Sequence, residues 1–327
     1  MVTMNQIGMT VIVVTYNSEA IFMKNFSKLL DHYANIEFIV VDNDSYNKKY
    51  LRRELNFRDN VKLIELDKNY GFSVAANIGA IKSNSDWLIF INPDAYISLD
   101  NFSKLLLFIN NLSGLQQYGS IKSQDRNGKR DLNFNYYVTV KRLLMEPIMK
   151  IFSELHINEY KYNENHHYLD GSLFIIKSSL FHKVAGFPNF FMYGEDVGLN
   201  LKLREIKGIN SFYNEEIIYT HDRSNSTFDH DMKLVNYKKI LRIEYSKYFF
   251  IRKSNILLSH IYLIMDVVIT LVRIIIGSIK MDTRKISCNI YKLYCVIFLL
   301  NKFYLTNFYI KEFHTESYCE LKKNNNH

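Results

Sequence analysis

Two adjacent carboxylates, Glu195 and Asp196, follow an aromatic run and a glycine in the segment FFMYGEDVGLNLKLR, residues 190–204. A carboxylate within hydrogen-bond reach of a hydroxyl group can accept its proton while the hydroxyl oxygen attacks an electrophile. The leucine spacing after the two acids predicts a helix, and acids also stabilise helix N-termini. The pair is therefore a candidate general base, with helix capping as the alternative.

Further polar residues lie where predicted strands end. Short β-branched runs predict buried strands over 10–16, 36–44, 61–67 and 86–96. Apolar residues at helical spacing predict helices over 20–33 and 73–83. Alternating strands and helices predict parallel β–α–β units, which bind ligands beyond the carboxyl ends of their strands. The polar residues at those ends are Thr15, Tyr16, Asn17, Asp42, Asn43, Asp44, Asp67, Asn69, Gly71, Asn92 and Asp94.

The middle of the chain has weaker patterns. Residues 118–165 are polar and rich in Tyr and Asn, and KSQDRNGKRD (122–131) within them predicts a turn or loop. Beyond them the sequence predicts a strand over 167–179, a short helix over 180–187 and a strand pair over 209–226 that contains His221.

The basic charge of the chain lies in its C-terminal part. The formal net charge is +8, and residues 232–327 hold 16 Lys and Arg against 6 Asp and Glu. This part also predicts helices over 237–253, 255–279 and 291–305. Cations beside long apolar runs suit an anionic membrane surface better than nucleic acid. We therefore predict a first domain over 1–231 and a basic, apolar, membrane-associating helical tail over 232–327.

Two charges interrupt the apolar helix over 255–279, which is long enough to cross a membrane. Asp266 and Arg273 lie seven residues apart and can share one helix face. A charge at the bilayer centre costs about 2.5–3.5 kcal/mol on insertion scales. A helix that lies in the membrane interface, or docks on a core, is therefore favoured over a membrane span.

Composition bounds the class of protein. The chain has 327 residues, 48% hydrophobic and 23% charged, which is typical of a globular protein with a large core. Three sparse cysteines predict a reducing compartment without a disulfide framework, and no basic segment precedes a long apolar core at the N-terminus. The expected location is the cytoplasm, with no signal peptide.

Six segments occur in one order over about residues 8–225: VIVVTYNSE, VVDNDS, NYGFSVAANIGA, FINPDAYI, LDGSLFIIK and FFMYGEDVGLNLKLR. The ordered set resembles the inverting GT-A glycosyltransferases of family 2, especially the rhamnosyltransferase-like bacterial branch that builds surface polysaccharides. The resemblance implies an α/β GT-A fold, a Rossmann-like mixed sheet that is mostly parallel with helices on both faces. It also implies transfer of rhamnose or another hexose from a dTDP- or UDP-sugar to a lipid-linked saccharide in O-antigen or capsule synthesis.

The resemblance also assigns residues to a nucleotide-sugar site. Asp42 matches the acid that holds the nucleobase, and a carboxylate can accept the imide N–H of uracil or thymine. Gly71 matches a glycine that lets backbone approach the diphosphate. The alternatives are strand termination, turn or helix capping, and helix–sheet packing. The full set of predicted binding residues is Thr15, Tyr16, Asn17, Asp42, Asn43, Asn69, Gly71, Asn77, Asn92, Asp94, Gly171 and Ser172.

A divalent metal, Mg²⁺ or Mn²⁺, is implied as well. Relatives usually carry Asp-x-Asp after the fourth strand, and here the same place reads Asn92-Pro93-Asp94. Asp94 is then the first metal ligand, and His221 matches a histidine that can complete the site, with a structural histidine as the alternative. Asp196 matches the general base, and Glu195 the neighbour that positions the acceptor or the loop.

Two other functions share parts of this pattern. A nucleotidyltransferase needs a loop rich in glycine and arginine after the first strand, and this chain has TYNSEAIF there. A non-catalytic nucleotide-sugar-binding protein does not need the acids Asp42, Asp94 and Asp196 together. We therefore expect an enzyme that works peripherally at the cytoplasmic face of a bacterial plasma membrane, with a nucleotide-sugar donor and a lipid-linked acceptor.

Overall fold

The computed structural model describes residues 8–137, 161–221, 232–254, 256–279, 281, 283–305 and 318–324. Contacts divide the chain into two compact units. The first unit contains Met1–Tyr136, Tyr162–Phe228 and His314–His327, and the second contains Tyr137–Lys161 and Asp229–Phe313. The domain boundary expected after residue 231 stays a prediction.

A nine-stranded mixed sheet forms the centre of the first unit, in the order β3-β2-β1-β4-β10-β6-β11-β5, with β7 paired to β6. The four strands β3, β2, β1 and β4 are parallel, and β10 runs antiparallel to β4. A separate two-stranded sheet joins β8 and β9. The strands are β1 Met9–Thr15, β2 Glu37–Asp42, β3 Val61–Glu65, β4 Trp87–Ile91, β5 Ala95–Tyr96, β6 Gln116–Gln124, β7 Arg130–Asp131, β8 Phe134–Tyr136, β9 His167–Leu169, β10 Leu173–Lys177 and β11 Asn210–His221.

Helices cover both faces of this sheet. Val11 and Val13 of β1 point into one core, while Ile12 between them points into the other. The helices of this unit are α1 Glu19–His32, α2 Lys48–Leu55, α3 Phe72–Ile81, α4 Leu99–Asn110, α5 Ser178–Lys183, α6 Glu195–Arg204 and α10 Tyr318–Asn324. Helices α1 and α4 pack on the first core, and α3, α5, α6 and α10 on the second. The predicted α/β fold with helices on both faces is confirmed.

The last of these helices, α10, comes from far along the chain. Its Tyr318 is buried in the second core, where its ring meets Phe181 edge to face. The Tyr318 ring also covers Gly186, where an added Cβ atom would lie 2.4 Å from a ring carbon. Gly186 has φ +56°, so glycine relieves both the backbone strain and the clash at this position.

Four details of the first unit were expected differently. Part of the predicted loop region is the inner strand β6, and the predicted strand over 167–179 divides into β9 and β10 around Asp170. The predicted strand pair over 209–226 is one strand, β11, with a bulge between Asn214 and Ile218, and α2 was not predicted. Residues 138–160 and 222–226 of these predictions lie outside the described residues.

The second unit contains three long helices: α7 Met232–Ser254, α8 Ile256–Ile279 and α9 Thr283–Leu305. Each of the three packs against the other two. They confirm the helices predicted over 237–253, 255–279 and 291–305. Within the part of the chain that the structure describes, one segment, Ser259–Ile279, is long and apolar enough to cross a membrane by length and composition.

Candidate active site

The predicted acid pair begins helix α6. Tyr193 and Gly194 before it have φ of +67° and +102°, so the chain turns sharply into the helix. Gly194 occupies the N-cap position, and no side-chain capping bond is made there. Neither acid therefore caps the helix, although both lie in its first turn.

The two carboxyl groups have different surroundings. Glu195 is only 9% exposed, and its Oε2 has no hydrogen-bond partner among the described residues. Oδ1 of Asp196 accepts the N–H of Val197 at 2.7 Å, and the backbone N–H of Gly171 also acts to lower the pKa of this carboxyl group. Burial, and then the neighbouring Asp196 charge, raise the pKa of Glu195. Burial, and then Asp170, raise the pKa of Asp196, so both acids hold protons to a higher pH than ordinary carboxyl groups.

A short turn, Asp170–Ser172, links this pair to the end of β4. Gly171 lies beside Asp196, since a Cβ atom added at Gly171 would lie 3.8 Å from the Cβ of Asp196, and the carbonyl of Ser172 accepts the N–H of Asn92 at 3.0 Å. The hydroxyl of Ser172 donates to Asp170 and lies 2.6 Å from the hydroxyl of Tyr219. The turn that contains Gly171 and Ser172 thus contacts both the candidate base and the Asn92–Asp94 turn, where the metal is predicted.

Asn200 fixes the position of α6 against this turn. Its side chain donates to the carbonyl of Leu169 at 2.9 Å and accepts the N–H of Leu169 at 3.2 Å. Leu169 directly precedes Asp170, and Asn200 lies one helical turn after Asp196. The sequence reasoning missed Asn200 and Tyr219, because a contact between distant segments leaves no local pattern. The helical spacing from Asp196 to Asn200 was the one available signal.

Asp94 and His221 come together on neighbouring strands. Ala95, next to Asp94, pairs with His221 across β5 and β11. Nε2 of His221 lies 3.4 Å from Oδ1 of Asp94, and both side chains are largely buried. Oδ1 of Asp94 and Nδ1 of His221 have no hydrogen-bond partner in the described parts of the chain. Buried polar atoms left without partners indicate a missing ligand.

The donor set fits a divalent cation. A carboxylate oxygen suits Mg²⁺ or Mn²⁺, and the imidazole nitrogen favours Mn²⁺ over Mg²⁺. In the described segments no cluster of three or more His, Cys, Asp or Glu side chains is arranged to hold a metal. Among the described residues the site therefore has this pair, and water and a ligand such as a diphosphate would take other coordination positions.

The predicted nucleobase acid, Asp42, is fully buried opposite Thr15. Its oxygens accept the Thr15 hydroxyl at 3.2 Å and the N–H of Ser45 at 3.3 Å, and burial raises its pKa. The N–H of Asn17 donates to the Ser45 hydroxyl, which ties the loops after β1 and β2 together. Tyr16 beside them is 42% exposed, so its ring can meet a ligand.

The segment after β3 is linked to the same loops. Asn43 donates to the side-chain oxygen of Asn69 at 3.0 Å, and that oxygen also accepts the N–H of Gly71. Gly71 has φ +85°, and an added Cβ atom there would lie 2.2 Å from the carbonyl oxygen of Phe191. A glycine is required at this place, because the chain before α6 passes directly over the start of α3.

Asn77 is placed differently from the other predicted residues. Its side chain is fully buried on α3, donates to the carbonyl of Phe187 at 3.0 Å and accepts the N–H of Phe187 at 2.9 Å. Both polar atoms are used within the protein. This favours the alternative of helix packing over contact with a nucleotide.

The two groups of residues share one edge of the sheet. Thr15 and Asp42 are the last residues of β1 and β2, and Asn92 directly follows β4; these are neighbouring parallel strands. Their carboxyl ends therefore lie side by side, and the Asp170–Ser172 turn adds the acid pair through Asn92. The arrangement suits a phosphorylated nucleoside on one side and proton transfer from a hydroxyl on the other.

Two sequence comparisons give the same picture. The model of the family described as Glycosyl transferase family 2 matches residues 10–184. That range includes Asp42 and Asp94, but not Asp196 or His221. An uncharacterized glycosyltransferase of Haemophilus influenzae is 30% identical over 109 residues, which are 32% of this chain and 44% of that protein. The chain therefore matches less than half of this relative.

Solved structures resemble the chain in fold. The mannosyltransferase PcManGT from Pyrobaculum calidifontis, solved with GDP-Man and Mn²⁺, gives a TM-score of 0.52 at 15% identity and covers 76% of this chain. The match spans 65% of the mannosyltransferase chain. TarS 1–349 from S. aureus, solved with UDP-GlcNAc, gives a TM-score of 0.47 at 17% identity, over 74% of this chain and 66% of TarS.

Proposed function

Because the chain belongs to glycosyl transferase family 2, we propose that it transfers a sugar from a nucleotide-sugar donor to an acceptor hydroxyl, with inversion at the anomeric carbon. One observation carries this proposal. Through Ser172, the Asp170–Ser172 turn bonds to the start of the Asn92–Asp94 turn, and Leu169 just before the turn bonds to Asn200 of α6, one helical turn after Asp196. Candidate base and candidate diphosphate site are thereby linked by one connection.

The proposed step is a single displacement. The acceptor hydroxyl gives its proton to the Asp196 carboxylate while its oxygen forms a bond to the anomeric carbon. The bond from that carbon to the diphosphate oxygen breaks, and its electron pair leaves with the nucleoside diphosphate. A raised pKa suits this role, because a base works best when its pKa lies near the working pH. Glu195, protonated at neutral pH by the same surroundings, positions the acceptor or the loop.

A divalent cation held by Asp94 and His221 would supply positive charge beside the leaving diphosphate. On the nucleoside side, the Asp42 carboxylate accepts two hydrogen bonds from the protein, and a carboxylate can accept about four. The imide N–H of uracil or thymine can therefore be accommodated after a small opening of the loop. This favours a UDP- or dTDP-sugar as the donor.

The order of the motifs supports our proposal for the acceptor, and the charge of the tail supports our proposal for the location in the cell. We assign the chain to the rhamnosyltransferase-like branch, with rhamnose or another hexose transferred to a lipid-linked saccharide of an O-antigen or a capsule. The net positive charge of residues 232–327 attracts an anionic surface. The enzyme would thus work peripherally at the cytoplasmic face of a bacterial plasma membrane.

Calorimetry on the full-length protein tests the proposed site. UDP and dTDP are titrated with Mn²⁺, with Mg²⁺ and with chelator, and we expect metal-dependent binding that Asp94→Asn reduces at least ten-fold. Asp100→Asn, an exposed acid on α4, is the matched control and should bind as the wild type does. Release of sugar from a labelled donor then separates an enzyme from a non-catalytic binding protein. The proposal would be contradicted if neither UDP nor dTDP binds. It would also be contradicted if nucleotide binding to Asp94→Asn keeps the metal dependence of the wild type.

A further inference from the structure

The helix α8 presents an uncharged apolar face to the surroundings of the protein. The exposed members of this face, here called the apolar stripe, recur at intervals of three and four residues: Leu257, Ile261, Ile264, Val268, Leu271, Val272, Ile275 and Ile279. At about 100° per residue they lie on one side of the helix. Only 28% of the segment Ser259–Ile279 is buried, so α8 is not the core helix of its bundle.

The charges of α8 lie on its other side. Asp266 is buried, accepts the Tyr248 hydroxyl at 2.7 Å and pairs with the ammonium group of Lys292 at 2.7 Å. The same ammonium lies 3.6 Å from Glu244, so two carboxylates from α7 and α8 share the cation of α9. Arg273, seven residues after Asp266, lies within about 20° of it around the helix. Neither charge interrupts the apolar stripe.

We propose that the apolar stripe of α8 inserts into the interfacial region of a phospholipid bilayer, with the helix axis parallel to the membrane plane. The apolar stripe suits lipid because it is continuous along the whole length of a 24-residue helix. Basic residues flank the stripe at both ends: Arg252 and Lys253 before it, and Lys280, Arg284 and Lys285 after it. Cations at both ends of an apolar helix complement anionic headgroups.

The packing of α7 favours an in-plane helix over a membrane span. Helix α7 runs against α8 and contains Lys239, Arg242, Glu244 and Arg252. A spanning α8 would draw these residues into the hydrocarbon, which is unfavourable for each charge that enters. An in-plane α8 leaves α7 and α9 on the side away from the acyl chains. The proposal deepens the peripheral membrane location given under the proposed function and rests on the proposed function for that location alone.

The test uses the full-length protein and vesicles of phosphatidylcholine with roughly a third phosphatidylglycerol. We expect the wild type to float with the vesicles and the double variant Ile264→Glu/Val268→Glu to bind at least ten-fold more weakly. Leu107→Glu, which replaces an exposed apolar residue on α4, is the matched control and should bind as the wild type does. Because both stripe positions are exposed, circular dichroism should show unchanged helix content.

Depth of insertion separates the two orientations. The chain has one tryptophan, the buried Trp87, so Leu257→Trp, Val268→Trp and Ile279→Trp each add one accessible fluorophore. An in-plane helix predicts equal quenching of all three by lipids brominated at a given acyl depth. If bromines deep in the acyl chains quench position 268 most strongly, and positions 257 and 279 are quenched mainly by shallow bromines, the helix spans the membrane and the proposal is overturned.

Two further outcomes would also overturn it. If the stripe is covered by a second copy of the chain, light scattering without lipid shows a dimer that the double variant dissociates, and vesicle binding stays unchanged. If neither vesicles nor self-association respond to the double variant, the stripe is not an interaction surface. UDP or dTDP binding, measured on the same samples, reports separately on the proposed function and should be equal in all variants.

Discussion

Buried carboxylates in the two units differ in their partners. Asp266 in the helical unit has a hydroxyl and an ammonium group at 2.7 Å each. Glu195 in the α/β unit has another carboxyl group beside it and one oxygen without a hydrogen-bond partner among the described residues. A buried charge that serves only the fold needs such pairing, since an unpaired one is strongly unfavourable. The contrast therefore marks Asp266 as a carboxylate paired within the fold, while Glu195 keeps an oxygen that the described residues do not use.

The largest expected effect is on catalysis. Asp196→Asn keeps the size of the side chain and removes its ability to accept a proton, so the transfer rate should fall about 10²–10⁴-fold. Nucleotide affinity and melting temperature should stay near those of the wild type, because no structural partner is lost. Glu205→Gln, an exposed acid just beyond α6, is the control for amide substitution.

The pH dependence of the transfer rate sharpens the same prediction. Because the pKa of Asp196 is raised, the wild-type rate should climb with pH through a value clearly above the ordinary carboxyl range of about 4. A rate already constant from pH 5 upward would remove Asp196 from the role of base. Equal rates for wild type and Asp196→Asn would have the same meaning.

The second effect is on stability and lies in the helical unit. Asp266→Leu leaves the Lys292 ammonium buried with Glu244 as its remaining near carboxylate, and should lower the free energy of unfolding by about 3–5 kcal/mol. The triple variant Asp266→Leu/Lys292→Leu/Glu244→Gln should recover much of that loss, since it removes the cation and both carboxylates together. Chemical denaturation monitored by circular dichroism measures both. If Asp266→Leu is as stable as the wild type, the pairing of Asp266 with Lys292 does not contribute to the free energy of unfolding.

The third effect has the opposite sign and depends on pH. The pKa of Glu195 is higher in the folded state than in the unfolded state. Its titration therefore leaves stability unchanged below the unfolded pKa of about 4. Stability is lost as pH rises from there through the folded pKa. Glu195→Gln mimics the protonated side chain. It should raise the free energy of unfolding by about 1–3 kcal/mol at pH 9 and change it little at pH 5. A variant less stable than the wild type at pH 9 would show that the ionised carboxylate is well accommodated.

The smallest effect concerns the hydroxyl of Tyr219. Tyr219→Phe removes a buried contact with Ser172, while Ser172 keeps its bond to Asp170. We expect a loss of about 0.5–1.5 kcal/mol in the free energy of unfolding, with nucleotide affinity unchanged. Tyr33→Phe, which removes a hydroxyl contact with the carbonyl of Leu99 far along the chain from the acid pair, is the control. If only Tyr219→Phe also slows transfer, the turn at Asp170 needs this hydroxyl to hold Asp196 in place.

The sequence predicted some parts of this molecule well because their signals are local. The strands β1 to β4 are β-branched runs that end in polar residues, and the helix after Gly194 follows its leucine spacing. Strand β6, QQYGSIKSQ, was missed because its polar composition resembles a loop. It is a strand because β10 and β11 pair with it on either side, and Gly119 lets the Phe212 ring pack against it.

Contacts between distant segments were predictable only through the resemblance. Asp94 and His221 are separated by more than a hundred residues, and no pattern in the chain joins them before the sheet forms. Asp266 shows the converse, since its charge argued against a membrane span, while its partner Lys292 lies on another helix and only the structure places the two together. The binding and catalytic roles of the predicted site residues stay predictions that the variants above test.

The helix Tyr318–Asn324 has a consequence for the synthesis of the chain. Tyr318 and Leu321 fill the core beside α3 and α5, yet they are translated after all three helices of the second unit. A nascent chain that has emerged only as far as α9 leaves Gly186 uncovered and part of that core open to solvent. The α/β unit therefore cannot complete its folding on the ribosome in order of synthesis. A chain cut short before residue 318 would leave this surface exposed to chaperones and proteases.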